Sequence, residues 1–238
     1  ELFMEILPSE MILRSLNASR SAFATIRLPA SFFSTFRVNG DVEKCKILLK
    51  SAVAIFKNAQ VLDFFEIKFN CAASDLAFSL RCRNGMAKHY HIVYEQCEVL
   101  QAVYSKDRCP NRAHLTARPL LDCLSSFHSS VEEVTMHATR TALHWKSYSA
   151  AEEKEGFDMQ TETSFNAQEL DRFQVRGEPS VTFGIRELKA IAAFCDSIAC
   201  GMSFHFEEPG SPMIFCAEHA DDALFLDLVL ATLQDPSA

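Results

Sequence analysis

The chain has 238 residues, of which 48% are hydrophobic and 23% are charged. This composition supplies enough apolar side chains for a sizeable core and excludes an intrinsically disordered chain. The formal net charge of −8 would argue against a nucleic-acid partner only if the 23 lysines and arginines were spread evenly. Nonspecific affinity for phosphates depends on where cations gather, so the total charge does not exclude such a partner.

Nine cysteines are spread along the chain, and no two of them have the Cys-x-x-Cys spacing of a metal or redox motif. We interpret them as buried reduced thiols of a cytosolic or nuclear protein rather than as disulfides or zinc ligands. No stretch reaches the ~18 consecutive apolar residues of a membrane span, and the first residues lack the basic region of a signal peptide. We therefore expect a soluble protein that is not secreted and has no membrane partner.

The predicted elements occur in the same order twice. The first half predicts a strand pair at 2–7 and 12–16, a strand with a helical turn at 30–36, a helix at 45–59 and a hairpin at 64–71 and 76–83. The second half repeats this order at 133–138 and 142–148, 167–173, 185–198, and 201–207 with 213–218. We therefore expect an α+β fold with two similar domains whose helices gather on one face.

The second copy opens with an additional short helix at 118–127, which has Pro119 in its first turn. The first copy has no counterpart, so we expect a further strand and helix of about 25 residues ahead of Glu1. The polar stretch 105–116 between the copies predicts a linker. The expected domains are residues 1–104 and 117–238.

Basic residues recur on the predicted helices of both copies. They are Lys46, Lys50, Lys57, Arg118, Arg186 and Lys189. The three lysines of the first helix are predicted to lie within some 40° of one another. Each stripe could be the solvated face of an amphipathic helix, but its recurrence in an otherwise acidic chain favours sequence-independent contact with phosphates.

The residues do not predict a catalytic or metal site. The acidic pairs Asp221-Asp222, Glu207-Glu208, Glu152-Glu153 and Glu132-Glu133 are candidates for a two-metal nuclease, but neighbours in a strand point to opposite faces. His89 and His91 share a strand face without a third ligand in register. We interpret both groups as surface residues and Trp145 as a packing residue, and we expect no cofactor.

Four segments resemble the ring-forming part of the Rad9 checkpoint proteins, which are relatives of proliferating cell nuclear antigen (PCNA). These segments are residues 16–24, 45–51, 96–104 and 229–233. The resemblance implies a DNA sliding-clamp fold with sheets outside and helices lining the inner face. It also implies a nuclear subunit of the heterotrimeric DNA-damage checkpoint clamp, closed with Rad1 and Hus1 and placed on double-stranded DNA by a clamp loader. Such a clamp would be a platform for checkpoint signalling and repair proteins, with the basic helices facing the duplex.

The resemblance also implies two further surfaces. A pocket for partner peptides beside the connector would be lined by Leu16, Cys109, Leu115, Ala231, Thr232 and Leu233. Subunit contacts would pair the edge segments 95–104 and 158–165 through Glu98, Leu100, Ala102, Met159, Thr161 and Thr163. Two alternatives stay open: a metal-dependent 3′–5′ exonuclease, an activity that has been associated with this family, and a partner-binding scaffold that never meets DNA.

Overall fold

A computed structural model describes residues 1–38, 43–57, 61–98, 101–102, 104–148, 160–219 and 224–234. The chain divides into two compact units. Unit 1 consists of residues 1–15 and 26–101, and unit 2 consists of residues 16–25 and 102–238. Residues 16–25 of the first sequence copy therefore belong to the second unit, which the duplication did not indicate.

Within the described residues, unit 1 is built from eight strands, one α-helix and a 3-10 turn at Ala30–Phe32. The strands are β1 (Leu2–Ile6), β2 (Glu10–Leu16), β3 (Ala22–Pro29), β4 (Glu43–Ile47), β5 (Leu62–Asn70), β6 (Asp75–Cys82), β7 (Ala87–Val93) and β8 (Glu95–Gln96). Helix α1 runs from Leu49 to Phe56. One sheet has the order β3-β2-β1-β4-β8, and a second, antiparallel sheet has the order β5-β6-β7. Residues 22–25 of β3 belong to unit 2.

Unit 2 contains nine strands and two α-helices in its described part. The strands are β9 (Asn111–Thr116), β10 (Glu133–Ala138), β11 (Ala142–Ser147), β12 (Glu162–Asn166), β13 (Arg172–Gln174), β14 (Ser180–Gly184), β15 (Gly201–Phe206), β16 (Met213–Glu218) and β17 (Phe225–Leu230). The helices are α2 (Ala117–Ser126) and α3 (Ile185–Ser197), and 3-10 turns lie at Lys106–Arg108 and Ala167–Glu169. The sheet orders are β13-β9-β15-β16-β17 and β12-β11-β10-β14.

Alternating apolar residues place one face of each sheet in the core. On β6, the buried Leu76, Phe78 and Leu80 alternate with more exposed residues, as their period of two predicts. In unit 2, Trp145 is fully buried and packs edge-on against Phe183 and Phe204, with ring centroids 5.9 and 6.3 Å away. The interpretation of the tryptophan as a packing residue is confirmed.

The helices of unit 2 pack against each other. Leu120 and Leu124 of α2 and Leu188 and Ala192 of α3 have no exposed surface. In unit 1, α1 buries Ala52 and Ile55 but leaves a neighbouring apolar face open to solvent. That face consists of Leu49 (42% exposed), Val53 (62%) and Phe56 (38%). The predicted strand and helix ahead of Glu1 stay a prediction.

Helix α3 ends in a Schellman motif. The N–H of Cys200 donates to the carbonyl of Cys195 at 2.8 Å, and the N–H of Ala199 donates to the carbonyl of Asp196 at 3.1 Å. Ala199 has the left-handed conformation that this motif requires, with φ of 52°. Ala199 is therefore strained at the end of this helix, whereas a glycine at the same position would not be.

The first helix is four residues shorter at its start than predicted. Residues 45–47 belong to β4, where Cys45 pairs with Met4 and Ile47 with Leu2 of β1. Leu48 is extended, and α1 begins only at Leu49. The segment Glu43–Ile47 alternates polar and buried residues, so its pairing with a distant strand decides its conformation. The helix prediction for residues 45–48 was wrong, and residues 58–60 lie outside the described residues.

The stretch 105–116 is not a linker along its whole length. Asn111–Thr116 forms β9, which pairs with both β13 and β15. The described residues 104–110 precede β9 and belong to no strand, and we call this segment the connector. Within β15, Gly201 lies under the ring of His114, since a Cβ at residue 201 would stand 2.6 Å from His114 Nε2.

All nine cysteines are free thiols, as expected from their spacing. Six are buried, Cys97 and Cys216 are half-buried, and Cys71 is exposed. Burial raises the pKa of Cys45, Cys123 and Cys195 to about 12, which keeps these thiols protonated and unreactive. The expectation of buried thiols is therefore met at six positions, whereas Cys97 and Cys216 are only partly covered and Cys71 is open to solvent.

Candidate DNA-facing and partner-binding surfaces

Lys50 and Lys57 form one basic line on α1. Residues seven apart on a helix lie within about 20° of each other and roughly 10 Å apart along the axis. Both side chains are exposed, and neither has an ion-pair partner among the described residues. Their charge is therefore available to a phosphate.

Lys46 does not belong to this line. It lies on β4 rather than on α1, and its ammonium contacts Glu1 at 3.2 Å and Glu95 at 3.0 Å. Hydrogen bonds with Glu95 and Glu1 raise the pKa of Lys46. Its prediction as a member of a helical stripe was wrong, because the stripe was drawn on a helix that begins after this residue.

The three predicted cations of unit 2 already have partners, which are carboxylates for the two arginines and a backbone carbonyl for the lysine. Arg118, at the start of α2, contacts Asp122 and Asp196, each at 3.3 Å. The charges of these two carboxylates raise the pKa of Arg118. Lys189 of α3 donates to the carbonyl of Phe127 at 3.4 Å, just after α2 ends.

Arg186 is also occupied, at the first turn of α3. It contacts Glu187 at 3.0 Å, and Asn17 donates to the same carboxylate at 3.0 Å. Burial raises the pKa of Glu187, but the hydrogen bonds from Asn17 and Arg186 outweigh burial and lower it. Arg118, Arg186 and Lys189 therefore share a helical surface with three carboxylates, whereas Lys50 and Lys57 do not.

Part of the predicted peptide pocket is brought together in unit 2. The N–H of Ala231 donates to Ser21 at 2.8 Å, and Ser21 lies in the turn that follows the half-buried Leu16. The N–H of Leu233 donates to Thr182 of β14 at 2.8 Å. The side chain of Leu233 is 38% exposed, so it is available to a ligand.

The other predicted pocket residues differ in their accessibility. Thr232 accepts a hydrogen bond from the N–H of Gly210 and donates one to Ser211, both at 2.8 Å. Cys109 is buried, and its thiol donates to the carbonyl of Ser105 at 3.7 Å. Leu115 is only 2% exposed because it points to the core side of β9. Leu115 cannot line a surface pocket, and its prediction was wrong because the segment was interpreted as a linker.

The predicted edge segment 95–104 is not an edge strand of that length. Within its described residues, 95–98, 101–102 and 104, the one strand is the two-residue β8, which pairs with β4. Glu98 is exposed and lies 3.7 Å from Lys44, Ala102 is half-buried, and Leu100 is outside the described residues. The edge of the neighbouring sheet is β7 instead, whose last residue, Val93, is 78% exposed. The alternation of residues 87–93 is the signal that would have indicated this strand.

The second predicted edge lies at β12, the outermost strand of its sheet. Thr163 is within β12, and Thr161 comes just before it and donates its N–H to Ser147 Oγ at 3.0 Å. Met159 is outside the described residues.

The histidine pair on β7 is engaged by its neighbouring strand. His89 Nδ1 lies 3.2 Å from Ser79 Oγ, and His91 Nδ1 lies 2.8 Å from an oxygen of Asp75. The described residues hold no group of three or more His, Cys, Asp or Glu side chains placed to bind a metal ion. The pairs at 221–222 and 152–153 lie outside them. No helix in the described ranges is long and apolar enough to cross a membrane.

The fold matches that of the sliding clamps. PCNA from Thermococcus kodakaraensis superimposes with a TM-score of 0.78 at 16% identity, covering 97% of this chain and 89% of that one. PCNA from Entamoeba histolytica gives a TM-score of 0.75 at 12% identity, covering 97% and 88%. The chain therefore has the α+β sliding-clamp fold, as expected.

The sequence comparisons identify the family within this fold. The Rad9 family model matches residues 1–233, so the chain belongs to the Rad9 family. The cell cycle checkpoint control protein Rad9 of Drosophila melanogaster is 26% identical over 215 residues, covering 90% of this chain and 47% of that protein.

Two other relatives support the same family assignment. The DNA repair protein rad9 of Schizosaccharomyces octosporus is 22% identical, covering 98% of this chain and 63% of its own length. The cell cycle checkpoint protein hpr-9 of Caenorhabditis elegans is 23% identical, covering 98% and 48%. The chain thus spans between 47% and 63% of these three relatives.

Proposed function

We propose that this chain is the Rad9 subunit of a DNA-damage checkpoint clamp, which encircles double-stranded DNA in the nucleus and carries checkpoint and repair proteins. The observation that carries the proposal is the Rad9 family match over residues 1–233 on a chain with the fold of PCNA. The proposed role is that of a non-enzymatic platform, with Rad1 and Hus1 as the other ring subunits and a clamp loader to place the ring on DNA.

The contact with DNA is proposed to come mainly from α1. Lys50 and Lys57 offer ammonium groups about 10 Å apart along one helix face, and neither has an ion-pair partner in the part of the chain that the structure describes. Such groups contact phosphates without reading bases, so the ring would hold DNA independently of sequence and more weakly as salt rises. Arg118, Arg186 and Lys189 would contribute less, because a phosphate must first displace their present partners.

The subunit contacts are proposed to pair edge strands. β7 and β12 are each the outermost strand of their sheet among the described residues, so each presents backbone groups that a neighbouring subunit's strand can pair with. Neither strand contains a proline that would interrupt such pairing.

Two measurements test this function. Light scattering of the chain mixed with Rad1 and Hus1 should give one species with the mass of a 1:1:1 heterotrimer. After loading, the ring should stay on a nicked circular duplex and slide off once the circle is cut. A homotrimer of this chain alone, or equal retention on cut and circular DNA, contradicts the proposal.

The subunit contact is tested separately by crosslinking. Val93→Cys at the end of β7 should crosslink to a neighbouring subunit within the ring, whereas Met86→Cys, in the turn before β7, should not. Both positions are exposed in the chain, so the difference would report the interface rather than accessibility. Crosslinking at residue 86 but not at residue 93 would refute pairing through β7.

A further inference from the structure

The connector crosses the face of the unit 2 sheet that points away from the core. On β16, Met213, Phe215 and Ala217 point into the core, so Ile214 and Cys216 point the other way. An isolated sheet face would leave these two residues exposed, yet Ile214 is only 2% exposed. A further layer therefore covers this face.

One carboxylate joins the connector to this face. Asp227 of β17, the cross-strand partner of Cys216, accepts hydrogen bonds from Tyr104 Oη at 2.9 Å and Lys106 Nζ at 2.6 Å. Both donors belong to the connector. The bond from Lys106 is charge-assisted and half-buried, which makes it stronger than an exposed ion pair.

Burial disfavours the charged forms of two side chains on the covered face, His205 and Cys216. Burial lowers the pKa of His205, and its Nδ1 is buried without a hydrogen-bond partner among the described residues. Burial also raises the pKa of Cys216 to about 12, and the nearby Asp227 contributes to the rise. A buried imidazole nitrogen without a partner costs free energy that opening to water would recover.

We propose that the connector is a strap fastened by a clasp, the Asp227 carboxylate, and that releasing this clasp uncovers Cys216 and His205 on the outward face of unit 2. Without the carboxylate, the Lys106 ammonium loses its counter-charge in a half-buried place, and its release to water is then favoured, because a buried charge without its opposite charge is unfavourable. The strap would then open while the core below the sheet stays folded.

The clasp also has a functional consequence, which rests on the proposed function as a platform for checkpoint and repair proteins and on the pocket expected beside the connector. A partner that takes Lys106 or Tyr104 away from Asp227 would open the strap and gain access to the covered face. The connector would then be a movable part of the binding surface, closed by default.

Thiol labelling under native conditions tests the strap on the full chain. Iodoacetamide is added, and mass spectrometry of the digested protein gives the labelling rate of each cysteine. In Asp227→Asn, Cys216 should react roughly ten- to a hundredfold faster than in the wild type, which corresponds to losing one charge-assisted hydrogen bond. Because Asp227 also raises the pKa of Cys216, part of this increase comes from a more acidic thiol, and Lys106→Met separates the two causes. Cys195, which is fully buried in the core of the same unit, reports global unfolding and should keep its rate.

Asp107→Asn is the matched control, because it makes the same change on the connector without touching the clasp. It should leave the rate of Cys216 unchanged. If Cys216 of Asp227→Asn reacts no faster than in the wild type, or Asp107→Asn gives the same acceleration, the clasp is refuted. These outcomes do not depend on ring assembly, so they are separate from a failure of the clamp function.

A second variant, Lys106→Met, separates opening of the strap from a change in thiol acidity, and it also decides the case in which Asp227→Asn unfolds and Cys195 becomes reactive. It removes the cation from the strap, keeps a similar apolar stem and leaves the sheet unchanged. Because Lys106 lowers the pKa of Cys216, losing the ammonium alone would slow the labelling, so faster labelling reports opening. Faster labelling of Cys216 with a constant rate at Cys195 supports the strap, and an unchanged rate at Cys216 overturns it.

Discussion

Helices α1 and α3 have the same place in the order of their units, but they differ in what packs against them. α3 lies against α2, and its cations Arg186 and Lys189 already contact groups of unit 2. α1 has no second helix beside it among the described residues of unit 1, and Lys50 and Lys57 are unpaired. The packing around a basic helix, rather than the number of its cations, therefore decides how much unpaired charge the helix can offer to DNA.

The largest expected effect concerns the apolar faces of the two helices. Leu188→Ala in α3 should lower the free energy of unfolding by about 2–5 kcal/mol, because it leaves a cavity at a fully buried position. Val53→Ala in α1 should change it by less than about 0.5 kcal/mol, since Val53 is mostly exposed. Urea denaturation of both variants measures the difference. Equal losses would mean that the α1 face is covered as well as that of α3.

The second effect compares the charges of the two units. Lys50→Glu with Lys57→Glu should weaken duplex binding by the assembled ring roughly ten- to a hundredfold at about 0.1 M salt, since two phosphate contacts are lost. The control, Arg118→Glu with Arg186→Glu, makes the same change in charge at residues that are already paired, and it should have a smaller effect. Fluorescence anisotropy over a salt series gives both affinities and slopes. The comparison fails if the control pair weakens binding as much as the α1 pair.

A smaller effect is expected where α3 ends. Ala199→Gly should raise the free energy of unfolding by roughly 0.5–1 kcal/mol, because glycine adopts the left-handed conformation of this Schellman position without strain. Ala199→Val should lower it, since a β-branched side chain is least tolerated there. Thermal unfolding of the three proteins checks the order Gly, Ala, Val, and a reversed order would contradict the assignment.

The smallest effect depends on pH and concerns the covered face of unit 2. His205 has a lowered pKa in the folded chain, so the unfolded chain binds more protons and stability falls as the pH drops below about 6.5. His205→Gln should reduce this fall by no more than about 1 kcal/mol relative to the wild type. Urea denaturation of both proteins at several values between about pH 7.5 and about pH 5 measures the difference. Identical pH profiles for the variant and the wild type would remove His205 as the cause.

The duplicated order of elements could be read from hydrophobic periodicity, because period and spacing are local properties of the sequence. The strand at Cys45–Ile47 could not, since its conformation depends on pairing with Leu2 and Met4 some forty residues earlier. Periodicity alone also does not distinguish a short apolar run in a strand from the start of a helix.

The prediction of the site residues was limited in the same way, because their roles depend on contacts with residues that are distant in the sequence. Whether a cation is free depends on partners that the helix sequence does not contain, such as Asp196 beside Arg118 or Glu1 beside Lys46. Leu115 was placed in a pocket because its polar neighbours suggested a linker, whereas the pairing of β9 with β15 puts it in the core.

Gly201 and His114 have a consequence for how this chain can change over time. The ring of His114 fills the space in which any other residue at 201 would place its Cβ, at 2.6 Å from Nε2, and Ser203 Oγ holds that ring in place at 2.9 Å from Nδ1. A larger residue at 201 forces the ring of His114 to move, and its hydrogen bond with Ser203 is then strained or lost. Replacement of the glycine is therefore less costly in a chain whose position 114 has already lost its ring, so the order of the two mutations affects their cost.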